Sequence, residues 1–96
     1  MDLKELHKIS KEQEIKHWIV HWFKENSRVQ EKEILGSLKI NYFEKGWIDS
    51  FAFIGFITAM DQEFSILFSN DEFQDRSFTT IDGLTQIIRE KIDAQK

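Results

Sequence analysis

Ile15, Trp18, Ile19, Trp22 and Phe23 recur at i, i+3, i+4, i+7 and i+8, which draws one wide apolar stripe along a helix. A helix marked this way must bury its stripe against other elements, and the rest of the chain says of what kind. It has no proline and only four glycines. That favours helices over a turn-rich β architecture. Its 96 residues make one small domain. A chain of this size buries a modest core without a metal or disulfide, and 9 Phe, 3 Trp and 1 Tyr supply large groups to fill it.

Leu3, Leu6 and Ile9 fall out of phase with the stripe. Residues 1–10 are therefore expected to form a flexible extension or a separate turn, and residues 11–96 the folded domain. Ser10 and Gln13 stand at capping-box spacing, which predicts a helix start at Ser10. The helix fades near Asn26-Ser27. A long connection follows over 27–46, with Val29, Ile34, Leu35, Leu38, Ile40, Tyr42 and Phe43 scattered without steady period. A structureless loop of that length is unusual in a compact domain. A short helical piece around 30–35 is expected, and Gly46 ends the connection.

A second helix is predicted from about Ser50 to Phe64. At 100° per residue, Phe53, Phe56, Ile57, Met60 and Phe64 share the core-facing arc. Phe51, Ala52, Gly55, Thr58, Ala59 and Gln62 lie opposite, with Ile54 at the border. Gly55 costs such a helix ~1 kcal/mol relative to Ala; it marks a close approach on that face or is incidental. Ser69, Asn70 and Asp71 cap a short helix anchored by Phe73. Thr79 and Asp82 repeat the capping-box spacing and open a last helix with apolar Ile81, Leu84, Ile87, Ile88 and Ile92. Lys91 and Lys96 near its end suit the negative pole of the helix dipole. The expected fold is all-α: a small four-helix bundle with three substantial helices, one short one and a long first connection.

Charge narrows the partners. Residues 1–45 hold nine of the 13 Lys/Arg and eight of the 17 Asp/Glu, so the acidic excess lies in residues 46–96. An acidic half argues against nucleic acid, which needs a basic footprint, and suits partners with a basic surface. The absence of cysteine excludes a disulfide framework, a thiolate metal site and a Cys nucleophile. The longest apolar run, Phe51 to Met60, is too short to span a bilayer. No membrane insertion and a cytoplasmic location are expected.

His17 and His21 stand four apart on the polar side of the first helix, with Glu14 and Glu25 nearby. No third ligand stands out locally, so a solvated helix face is the reading, and no metal is expected. Trp18 and Trp22 read as packing residues. No nucleophile–base pair is visible: the three histidines all fall in the first 21 residues, far in sequence from any marked serine. No catalytic residue is assigned, and the chain is not expected to be an enzyme.

The remaining feature is Gly46-Trp47-Ile48-Asp49-Ser50-Phe51. It places a serine at the start of an apolar helix, at the positive end of the dipole, where a phosphate group is favoured. Read alone, Ser50 is better taken as an ordinary N-cap, because Ser and Asp lead at that position. Its register against Glu63-Phe64, Asp71-Glu72-Phe73 and Ser77-Phe78-Thr79-Thr80-Ile81 says more. In that order these features resemble the acyl carrier protein family, with its acyl, peptidyl and D-alanyl carriers, from about Trp18 to Ile92. The Gly-x-x-Asp-Ser spacing is similar to the stand-alone D-alanyl and peptidyl types.

The resemblance implies a bundle of acyl-carrier-protein type with Ser50 as the covalent attachment site of 4'-phosphopantetheine, taken from coenzyme A. Asp49 matches the preceding Asp that the modifying enzyme reads, and Phe51 stands where Leu is commonest. The implied function is an acyl or aminoacyl carrier that holds its cargo as a thioester on the arm. The implied partners are a phosphopantetheinyl transferase, an acyl- or aminoacyl-adenylating ligase and a downstream acyltransferase or synthase. A monomer is expected. The alternative is an unmodified helical interaction module of the same fold.

One departure concerns the outer face of the second helix, which many fatty-acid carriers line with Asp and Glu. Here it presents Phe51, Ile54, Gly55 and Thr58, and predicts partner docking by shape and apolar contact. The competing expectation buries Phe51 and Ile54 partly against the long connection. Trp47, beside the serine, either shields the base of the arm or contacts a partner, or packs the loop.

Overall fold

The computed structural model describes the backbone of residues 3–95 and the side chains of residues 11–95. Five α-helices follow one another: α1 (Leu3–Ser27), α2 (Glu31–Leu35), α3 (Ser50–Phe64), α4 (Asn70–Gln74) and α5 (Ile81–Ala94). A 3-10 turn, Arg76–Thr79, joins α4 to α5. No strand occurs among the described residues. The molecule is a small helical bundle, with three long helices and two short ones.

α1 corrects the expected start of the first helix. It runs unbroken from Leu3 through Ser10, so the helix does not start at Ser10. Capping-box spacing alone does not stop a helix whose preceding residues propagate it equally well. Ile15, Ile19 and Phe23 from the stripe are fully buried, while Trp18 and Trp22 are half-buried against the same core. Val20 lies off the stripe and is buried too, in a groove it shares with Leu35 of α2.

The core is largely a cluster of rings around Phe56 of α3. The Phe56 ring centroid is 4.4 Å from Trp22, 5.2 Å from Phe23 and 6.4 Å from Trp18, and Trp18 also meets Phe64 edge-on at 5.4 Å. Rings of this size hold α3 away from α1. The aliphatic side of α5, with Ile81, Leu84, Ile87 and Ile88 buried, lets α5 approach α1 more closely. Ion pairs flank that closer seam, Lys16–Asp82 at 2.8 Å and Arg89–Glu12 at 2.6 Å.

The first connection is held by its backbone as well as by burial. Asn41 Oδ1 accepts from the N–H groups of Phe43 and Glu44 at 2.8 and 3.2 Å. Gly46 then takes a positive φ of 74°, which few other residues tolerate. Two bonds reach across to the C-terminal third: Tyr42 N–H to Thr79 O at 2.9 Å, and Asp82 N–H to Leu38 O at 3.0 Å. The Tyr42 hydroxyl, fully buried, donates to Phe78 O. Burial pushes its pKa well above the usual phenol range, so it stays a donor.

The last helix begins one residue later than its sequence spacing predicts. Thr80, not Thr79, is the N-cap, and its hydroxyl accepts from Gly83 N–H at 3.0 Å. Thr79 instead donates to Arg76 O at 2.8 Å, inside the 3-10 turn. Gly83 is where that turn meets α5: a Cβ there would stand 2.1 Å from Ser77 O. At Ser69 the expected cap is present. Its hydroxyl accepts from Glu72 N–H at 3.2 Å, and Glu72 accepts from Ser69 N–H at 2.7 Å.

Candidate functional site

The chain is pinned immediately before the serine. Trp47 and Ile48 are both buried, at 7% exposure. Ile48 and Phe53 occupy the two staple positions of α3, one before the cap and one on its first turn, and pack into the same core. Asp49 then leaves the core and becomes the N-cap: its Oδ1 accepts from Ala52 N–H at 2.7 Å. Its carbonyl accepts from Phe53 N–H at 2.9 Å.

This division of labour frees Ser50. The capping role open to it in the sequence belongs to Asp49, and Ser50 is the first helical residue, exposed. Its hydroxyl makes no hydrogen bond to any described residue. The first four N–H groups of a helix lack intrahelical partners. Asp49 satisfies those of Ala52 and Phe53, which leaves those of Ser50 and Phe51 at the helix end. An exposed hydroxyl, two unused donors and the positive pole of a 15-residue helix converge there. A phosphodiester on the Ser50 oxygen fits that environment in charge and in hydrogen-bond capacity.

Phe51 is 87% exposed and Ile54 is 67% exposed, so neither is buried against the first connection. Gly55 and Thr58 continue the exposed face. The Thr58 hydroxyl donates back to Ile54 O at 3.0 Å. Gly55 marks no close approach within the chain: a Cβ there would meet nothing within 4 Å.

Trp47 packs the loop, one of the alternatives its place in the sequence leaves open. Its ring lies in the core, 5.9 Å from Phe23 and under the Lys45 ammonium. A tryptophan flanking the serine in sequence packs the loop here because the turn at Gly46 directs the chain inward. Two other residues adjoin the site from α1. Trp22 and Asn26 form one side of an open groove of about 440 Å³, with Phe51, Ala52, Ile54 and Gly55 as the other. Spacing along the chain held no sign of this, since α1 and α3 are joined only through the first connection and the core.

His17 and His21 line a different groove with Glu14, Trp18, Glu63 and Phe64, and His21 faces Glu25 at 3.5 Å. Among the described residues no group of three or more His, Cys, Asp or Glu side chains converges as metal ligands would. Nor is any described helix long and apolar enough to cross a membrane. Compared with known proteins, the chain matches no family model, no curated protein and no solved structure.

Proposed function

We propose that this chain is a carrier protein that holds an acyl or aminoacyl group on a 4'-phosphopantetheine arm attached to Ser50. The observation that carries the reading is the cap exchange at the start of α3. Asp49 takes the structural work, and the serine is left exposed, unbonded and at the positive helix end. A serine needed only to stop a helix would spend its oxygen on the backbone.

In the modification, the Ser50 oxygen forms a bond to the phosphorus of coenzyme A that bears the pantetheine. The pyrophosphate bond breaks and adenosine 3',5'-bisphosphate leaves. The hydroxyl proton passes to a base of the transferase. The chain contributes an accessible oxygen and two backbone donors for the phosphodiester, and Asp49 is the acidic neighbour the transferase meets. The arm supplies the thiol for the thioester, which this cysteine-free chain does not have. Loading falls to an adenylating ligase and unloading to an acyltransferase or synthase, which dock on the Phe51, Ile54, Gly55 and Thr58 face.

Incubation with coenzyme A and a broad-specificity phosphopantetheinyl transferase tests the reading by intact-protein mass spectrometry. The expected result is a gain of one arm, absent in Ser50→Ala. No gain under conditions that fully modify a control carrier removes the carrier reading. The exposed Phe51 and Ile54 would then stand as the surface of an unmodified interaction module.

A further inference from the structure

The groove beside the serine raises two questions the attachment reading leaves open. Its walls are Trp22 and Asn26 on α1, and Phe51, Ala52, Ile54 and Gly55 on α3. Apolar atoms dominate them, although the groove opens to solvent. Within it sits Gly55, which weakens a helix by about 1 kcal/mol relative to alanine. No neighbour in the fold requires a glycine there, because a Cβ would meet nothing within 4 Å. The missing side chain keeps the groove open, and that is its one visible consequence.

We infer that this groove seats the root of the arm carried by Ser50, the segment bearing the two geminal methyl groups. The inference rests on the attachment reading above. Position selects this occupant over the cargo. The α3 wall begins at the residue after Ser50 and ends at Gly55, about 6 Å of helix axis at 1.5 Å per residue. The carbon with the paired methyls lies two bonds beyond the phosphodiester oxygen, within that reach. The thiol end extends far past it.

Chemistry selects it as well. The methyl pair meets the faces of Trp22, Phe51 and Ile54. The adjoining hydroxyl and amide N–H of the arm need an acceptor. Asn26 offers one: its Nδ2 donates to Trp22 O at 2.8 Å, which fixes the side-chain amide and leaves its Oδ1 free to accept. A seated root gives the arm a defined direction of departure from the protein, and the thiol then sweeps a restricted cone.

The test uses the full chain, ¹³C/¹⁵N-labelled, converted with unlabelled coenzyme A, with conversion followed by mass. Isotope-filtered NOE spectra of the modified protein are expected to connect the arm's methyl protons to Trp22, Phe51 and Ile54. In modified Gly55→Leu, whose side chain fills the groove, those NOEs are lost. Complete modification without NOEs into the groove overturns the inference and leaves the attachment reading standing. Identical NOEs in wild type and Gly55→Leu also overturn it. Failure of the wild-type chain to be modified removes both.

Discussion

Two glycines on two helices make opposite demands. At position 83 a methyl group would fall 2.1 Å from Ser77 O and 2.7 Å from Ser77 Cβ, and the nearest atom is backbone that has no freedom to move aside. Gly83→Ala is expected to destabilise the fold by about 1–3 kcal/mol or more, as overpacking does. Gly55→Ala is expected to stabilise it by about 1 kcal/mol, since the helix gains and nothing is displaced. Chemical denaturation of the two variants checks both signs. Tyr42→Phe leaves Phe78 O without its buried donor and is expected to cost about 1–3 kcal/mol, read the same way. None of these three effects is legible in the sequence. Gly83 and Tyr42 act through contacts distant in the chain, and Gly55 has the same helical spacing whether its face is open or covered. Ser50 was legible as a helix start, but whether Ser50 or Asp49 did the capping depended on backbone angles that the dipeptide does not specify.

At the scale of elements, long periodic segments read well and their junctions did not. The apolar arc of α3 and its bounds, Ser50 to Phe64, follow from periodicity alone, as does the buried side of α5. The start of α5 shifted from Thr79 to Thr80 because a 3-10 turn uses the first hydroxyl for itself. Such a turn is too short to leave a period. The junction of α4 carries a pH dependence. Burial, the largest single influence on Glu72, pushes its carboxyl up. The Ser69 N–H and the Lys91 ammonium, the latter at 2.9 Å, outweigh it together and hold the pKa below its ordinary 4.5. The group is depressed on folding, so its contribution is fully present above the unfolded value and is lost as pH falls through the folded one. Acid is therefore expected to loosen α4 from α5. The protection of the Asn70–Gln74 amides, measured against their intrinsic exchange rates, should fall below the ordinary carboxylate range, and Glu72→Gln should remove that dependence.

At the scale of the whole molecule, the ion pairs between long helices and the apolar face beside Ser50 are separate. The described ion pairs between long helices line the α1–α5 seam, while the outward side of α3 next to Ser50 carries Phe51 and Ile54 with no basic or acidic group in its first turn. Docking of a loading or unloading enzyme on that face is expected to change little between low and physiological salt. Phe51→Ala should weaken it about tenfold while folding stability shifts by less than about 0.5 kcal/mol. Binding titrations at two ionic strengths measure both, and a steep fall with salt would sink the apolar-docking idea. The same architecture sets a timetable. The segment that delivers Ser50 is fastened by Tyr42 and Leu38 to backbone of Phe78, Thr79 and Asp82, residues made long after it. During synthesis the N-terminal part of a chain emerges first, so the serine leaves the ribosome well before the residues that hold it in place. A chain truncated ahead of Phe78 would carry the hexapeptide without that anchorage, so the setting of the serine depends on residues that follow it in the chain.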